Sequence, residues 1–286
     1  FISPYICFQK SFIFSINAGS ASLSSTKPSS ISKNSNVYTL GIGLSGTPNG
    51  DETLTVNPVD NGIYDAVGNE ASTNQSNNSI KLNDKVAPLI SSSSIVANNS
   101  FIDITMSEGV YGDNNKSSPI SSNDLSLTFS QNNGNASSVS INSLKKNDNT
   151  AQGSASALSG GESVIRVFLN VSGTASGTEA ITITPTDGNS IFDDVGNVMV
   201  SSQTTGSKNL NDILIPSFKS VFLSANNSTI AVTMSETVYN ASSGSGALEV
   251  GDFVFSISGG SASLTSTTPA SISNSGNVYT LGISLS

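Results

Sequence analysis

The feature that most limits what this chain can fold into is an internal repeat. The stretch "SFIFSINAGSASL" (Ser11–Leu23) returns as "DFVFSISGGSASL" (Asp252–Leu264), and 24 of the 34 residues aligned between Phe12–Ser45 and Phe253–Ser286 are identical. A second stretch, "VAPLISSSSIVANNSFIDITMSEGVYG" (Val86–Gly112), returns at an offset of 128 as "LIPSFKSVFLSANNSTIAVTMSETVYN" (Leu214–Asn240). A third, "VYTLGIGLSGTPNGDETLTVNP" (Val37–Pro58), matches "VIRVFLNVSGTASGTEAITITP" (Val164–Pro185) at an offset of 127, and "IYDAVGN" (Ile63–Asn69) matches "IFDDVGN" (Ile191–Asn197). Self-similarity at a fixed period marks a tandem of like structural units.

Set in order, the pieces give three domains: residues 1–85 hold the back part of a unit, 86–212 a complete one, and 213–286 the front part of another. The central unit differs in one place. Leu125 to Val164 spans 39 positions, whereas Phe12 to Val37 and Phe253 to Val278 each span 25. Alternating unit types, produced by duplication of a two-domain block, explain why the outer copies resemble each other most.

Strand periodicity runs through every copy. Ile102, Ile104 and Met106 alternate with Phe101, Asp103 and Thr105, the period of a strand with one buried face. Ile230, Val232 and Met234 repeat that pattern, Ile165, Val167, Leu169 and Val171 share one side of another strand, and Pro185 closes "ITITP". Gly- and Asn-rich punctuation separates the runs, and no stretch keeps a helical period. About seven short strands per unit predict an all-β fold of tandem immunoglobulin-like β-sandwich domains.

Composition removes several functions. The chain has no His and one Cys, Cys7, so Ser-His-Asp and Cys-His nucleophile pairs and the common zinc sites are excluded. A net charge of −9 with 11 Lys and Arg argues against nucleic acid as a partner. No apolar run approaches the ~18 residues of a membrane span. The segment Phe1–Lys10, with Phe1, Tyr5, Phe8 and Cys7, departs from the repeat and makes a poor signal peptide, so the chain reads as a window on a longer one. Cys7 reads as incidental to that segment, with pairing between chains as the alternative.

A unit that opens with "D-x-x-x-P" (Asp84–Pro88, Asp212–Pro216), continues through "TMSE-x-V" and closes on "I-[YF]-D-x-V-GN" resembles the bacterial Ig-like repeats of S-layer proteins and large surface adhesins, the SbsA-like and SwmB-type groups. The resemblance covers nearly the whole chain outside Phe1–Lys10. It implies an extracellular, cell-surface β-sandwich module, deployed in tandem and not an enzyme.

Acidic residues are the candidates for a metal. Asp65, Asp193 and Asp194 sit in the closing turns, with Asp60 and Asp187 just upstream, and together they could bind Ca²⁺, a hard cation that takes oxygen ligands. The preferred reading is that each Asp caps its own turn, and that the glycines and asparagines of the turns supply positive φ. Glu108 and Glu236 end their strands and could share an inter-domain ion with Asp84 or Asp212, against the commoner case of a solvated strand-end Glu. No other cofactor is expected, and no acidic pair is framed as a two-carboxylate catalyst. The Asn-x-Ser/Thr sequons at Asn74, Asn77, Asn98, Asn115, Asn135, Asn170, Asn226 and Asn240 are glycosylation candidates.

Two structural roles follow. The chain can be a slice of a long array forming a filament, stalk or coat, with Asp84–Pro88 and Asp212–Pro216 as stiff linkers. Alternatively its incomplete end units pair with other protomers by β-strand complementation, a head-to-tail polymer in which the partner is the protein itself. A third role, an adhesin module binding surface glycans, lacks the aromatic platform such modules use: there is no Trp and 6% aromatic content.

Overall fold

The structure, a computed structural model, describes residues 10–286. Cys7 and the aromatic residues Phe1, Tyr5 and Phe8 lie outside the described residues. What is described is all-β, built of antiparallel sheets with two short 3₁₀ turns and no α-helix, and no helix is long and apolar enough to cross a membrane. The chain divides into two compact units, one ending at Asp212 and one of Ile213–Ser286.

Within the first unit, residues 10–85 carry β1 (Phe12–Asn17), β2 (Ser22–Leu23), β3 (Ile31–Asn34), β4 (Val37–Leu40), β5 (Leu44–Ser45), β6 (Thr53–Pro58) and β7 (Ser79–Lys81). They form a three-stranded sheet in the order β1-β6-β7 and two hairpin-like pairs, β2-β5 and β3-β4. Phe14 and Leu54, from adjacent strands, are buried, as is Ala21.

Residues 86–212 form the best-packed part. Here β8 (Ile90–Ile95), β9 (Phe101–Val110), β11 (Ser138–Lys146) and β12 (Glu162–Ser172) make a sheet in the order β11-β12-β9-β8. Strands β10 (Leu125–Ser130), β13 (Ala180–Pro185) and β14 (Lys208–Asn209) make a second, in the order β10-β13-β14. The two sheets bury one apolar core between them, which is consistent with a β-sandwich. Ile102, Ile104 and Met106 reach it from β9, Ile165, Val167 and Leu169 from β12, and Ile181 and Ile183 from β13. Each such side chain contributes about 1.5–3 kcal/mol on burial, so this cluster holds the domain together.

Alternation gives the inner face of β9 and β12 correctly, but their outer face is also covered. Phe101 and Phe168 stack edge to face at 5.6 Å and bury Ala155 with them. Arg166, only 7% exposed, donates twice to Asp103 (2.8 and 2.7 Å) and once to the Asn149 carbonyl (2.7 Å). Its guanidinium lies 3.8 Å from the centre of the Phe101 ring. The extra residues between β11 and β12 supply Asn149 and Ala155. The length difference seen in the sequence is therefore a lid over a second small core.

The unit of Ile213–Ser286 has β15 (Phe218–Leu223), β16 (Thr229–Met234), β17 (Ile272–Ser275) and β18 (Val278–Gly282), in the order β15-β16-β18-β17. Several local devices recur at the offset of 128. The "ANNS" turns place Asn99 and Asn227 at φ +60°, a left-handed conformation asparagine tolerates. The same register irregularity falls between Ile90 and Ser92 and between Phe218 and Ser220. The core is smaller, made of Val232, Met234, Phe253, Tyr279 and Leu281. β15 is exposed along its whole length, with Phe218 at 61% and Phe222 at 73%.

Candidate functional site

The linker Asp84–Pro88 is pinned on both sides within the first unit. Lys85 N–H donates to the Pro48 carbonyl (2.9 Å), and Asp84 Oδ1 accepts from Val86 N–H (2.8 Å). Gly50, at φ +81°, lets the backbone pass close to Asp84: a Cβ built there would lie 3.3 Å from the Asp84 Cβ. Gly177, at φ +83°, stands in the same relation to Asp212, at 3.2 Å. The linker seat therefore repeats with the sequence.

The closing turns work as internal Asp caps. Asp65 accepts from the N–H groups of Val67 (2.9 Å) and Asn69 (2.8 Å) and from Asn69 Nδ2 (2.7 Å). The Asn69 side chain and backbone hold its carboxyl below the usual range. Asp193 makes the same three bonds to Val195 and Asn197, at 2.9, 2.8 and 2.7 Å, but is fully buried. Asp187 accepts from Ser190 Oγ and Asn189 N–H, both at 2.7 Å, which lowers its pKa. Asp60 accepts from Asn61 Nδ2 (2.9 Å). The invariant letters of "D-x-x-GN" are thus the parts of one turn: the carboxylate, its donors and a glycine at φ +92° or +89°.

One group of carboxylates does converge. An oxygen from each of Asp84, Glu108 and Asp193 lies within 4.8 Å of the others. β9 delivers Glu108, the linker delivers Asp84, and the turn delivers Asp193, whose neighbour Asn197 donates to the Val86 carbonyl (3.3 Å). Burial, followed by the charges of Asp193, Asp84 and Asp194, pushes the Glu108 carboxyl up to about 7. Like charges held this close resist ionising together, and a hard divalent cation would relieve them by taking their oxygens as ligands. Among the described residues Asp60, Asp65, Asp187 and Asp194 join no such trio; Asp194 is exposed beside it and acts through its charge. Glu236 sits half-buried just beyond β16, at the position that matches Glu108.

Two buried glutamates escaped the sequence reading. Glu52 has no exposed surface and accepts from the N–H groups of Ser20 and Ala21 (both 2.7 Å) and Asn49 (3.1 Å). Glu179 is equally buried and accepts from Ala136 (2.7 Å) and Ser176 (3.0 Å). Burial alone would raise both pKa values; the amides outweigh it, bringing Glu52 down to about 2 and lowering Glu179. A Cβ on Gly19 or Gly134 would collide with the glutamate carboxyl. The motif is Gly-x-Ala in one loop and Glu at the start of the Pro-terminated strand, more than 30 residues later. The repeated "SGT-x-x-G-x-E" was the available signal.

The sequon asparagines named above are all exposed. Several use their side chains locally: Asn98 Oδ1 accepts from Ser100 N–H (3.1 Å), Asn226 Oδ1 from Ser228 N–H (3.1 Å), and Asn170 Oδ1 from Asn142 Nδ2 (3.0 Å). Compared with known proteins, the chain matches no family model, no curated protein and no solved structure.

Proposed function

We propose that this chain is part of a non-enzymatic, extracellular structural protein, a tandem array of immunoglobulin-like β-sandwiches that builds a surface filament, stalk or coat. The observation that carries the reading is the repetition of the junction itself. A Cβ built on Gly50 would lie 3.3 Å from the Asp84 Cβ, and one built on Gly177 would lie 3.2 Å from that of Asp212. Each seat lies in the "SGT-x-x-G-x-E" loop of the repeat before it. A protein whose selected feature was one binding site would have no need to keep the linker seat constant from copy to copy. An array in which each module contacts only its neighbours does need it. Polar strand faces, low aromatic content and exposed sequons fit an outward-facing surface.

Antibodies raised against the 286-residue chain test this directly on the source cells. Labelling of intact, unpermeabilised cells, together with a native polypeptide far heavier than 29.2 kDa on a denaturing separation, is the expected result. Labelling that appears only after permeabilisation overturns the extracellular assignment.

A further inference from the structure

We infer that Asn49 is a site of spontaneous covalent modification, a deamidation that turns its side-chain amide into a carboxylate and frees the buried Glu52 from its loop. The inference goes beyond the structural role and stands whether or not the array is extracellular.

Asparagine followed by glycine is the pair most prone to this reaction, because glycine has no side chain to hinder attack by its nitrogen. The pair occurs as Asn49–Gly50, Asn61–Gly62 and Asn133–Gly134. Two of these are held shut. Gly62 N–H donates to the Val59 carbonyl (2.9 Å) and Gly134 N–H to the Gln131 carbonyl (2.8 Å), so the nitrogen that must attack is tied into a turn. Asn61 and Asn133 are themselves fixed at φ +56° and +63°. Among the described residues Gly50 N–H makes no such bond. Asn49 and Gly50 lie half-buried in a loop outside any strand.

The Asn49 amide stands against a carboxylate. Turned so that its nitrogen faces Glu52, it donates to both carboxyl oxygens at 3.2 Å, and the Asn49 backbone N–H donates to the same carboxyl at 3.1 Å. The N–H groups of Ser20 and Ala21 complete the set, both at 2.7 Å. In the central repeat Ser176 takes the place of Asn49, and its N–H donates to Glu179 at 3.0 Å. The backbone part of the lock is thus shared, but only the Asn49 copy holds a group that can leave as ammonia. In the reaction Gly50 N bonds to Asn49 Cγ, and the side-chain nitrogen departs as ammonia, taking the Gly50 proton. Water then adds to the succinimide and opens it to aspartate or isoaspartate. Either product carries a carboxylate at the position that faced Glu52 with a donor, and like charges this close resist ionising together. Isoaspartate also lengthens the backbone by a carbon just ahead of Gly50, where a Cβ would already lie 3.3 Å from that of Asp84. Glu52 then leaves the amides of Ser20 and Ala21, and residues 10–85 lose a fastener that the central repeat keeps.

The test is to hold the polypeptide of residues 1–286 at mildly alkaline pH and map it at intervals by peptide mass spectrometry for exchange of the amide NH₂ for OH. Asn49 should convert about tenfold faster than Asn61 or Asn133, the factor of one turn hydrogen bond that need not break. In the converted molecules amide exchange at Ala21 should speed up while Ala136 stays slow. Asn49→Ser, which copies Ser176, should keep Ala21 slow through the same incubation, and Asn49→Asp should show the faster exchange from the start. No conversion at Asn49, or conversion at Asn61 or Asn133 at the same rate, overturns the site. Converted or Asn49→Asp molecules in which Ala21 exchanges as slowly as before, or in which Ala136 speeds up equally, overturn the release of Glu52.

Discussion

The central repeat and the last one start from nearly the same "TMSE" strand, yet they bury very different amounts. In the central repeat Ile102, Ile104 and Met106 lie between two sheets, and β8 packs Ile90 and Ile95 against the same core. In the last repeat Val232 and Met234 are buried, but β15 is exposed throughout and Phe253–Ile257 stands outside any sheet. The central core also draws on Ile181 and Ile183 of β13 and on Ile191, Met199 and Leu210 beyond it, positions that have no counterpart among residues 213–286. Like strand signals thus specify a single sheet; the second sheet is what turns it into a closed core. The comparison teaches that the repeat is a set of interlocking parts, with a carboxylate as one of the fasteners.

The largest effect expected from breaking that contrast is in the core. Ile183→Ala, from a fully buried position on β13, should lower the stability of the central repeat by about 2–5 kcal/mol in denaturant titrations. Ile230→Ala, at a half-buried position in the last repeat, should cost less than half as much. Next is the lid peculiar to the central repeat. Arg166→Ala strands the Asp103 carboxylate and removes the guanidinium from the Phe101 ring. It should cost roughly 2–3 kcal/mol, and leave the last repeat's unfolding transition where it was.

Glu179→Gln sharpens the comparison further. The neutral amide keeps the shape but turns a donor toward the Ala136 and Ser176 amides, so a loss of roughly 1–3 kcal/mol is expected. Acid should mimic it. The folded pKa of Glu52 lies at about 2, below its ordinary 4.5, so the stability it contributes is present above pH 4.5 and is lost as pH falls toward 2. A Glu52→Gln variant should show a flatter acid limb in thermal melts.

The smallest expected effect has the opposite sign. Glu108 has its folded pKa raised from 4.5 to about 7, so the native state keeps a proton that the unfolded chain has released. Stability therefore falls as pH rises from 4.5 to 7 and levels off above it, by about 1–2 kcal/mol once solvent screening is allowed for. Glu108→Gln should remove that slope and raise the melting temperature at pH 8. Millimolar Ca²⁺ at pH 8 should likewise raise the melting temperature of the parent chain and leave Glu108→Gln unmoved. No calcium shift in the parent would show that the trio of Asp84, Glu108 and Asp193 is a linker contact and no more.

Much of this was legible before the fold. The repeat set a boundary after Asp212, where the two compact units divide, alternation identified the inward side chains of β9 and β12, and the chemistry of Asp and Asn accounted for the "D-x-x-GN" turn. The covered outer face was not legible. Arg166 and Asp103 alternate with apolar residues as solvent-facing positions do, and it takes the Asn147–Ser159 segment folding back to bury them. Glu52 and Glu179 hid for another reason. Their partners are backbone amides, which every residue has, so no side-chain pattern announces a buried carboxylate. The linker trio was half visible, since Glu108 and Asp84 stood out by their repetition, while the part Asp193 plays depends on how the closing turn packs.

The most direct test of the central account is amide exchange at three matching alanines, Ala21, Ala136 and Ala262, in a polypeptide of residues 1–286. The account predicts slow exchange at Ala21 and Ala136, whose N–H groups donate to Glu52 and Glu179, and fast exchange at Ala262. Equal protection at all three would contradict it, because the glutamate would then not be the part that closes a repeat.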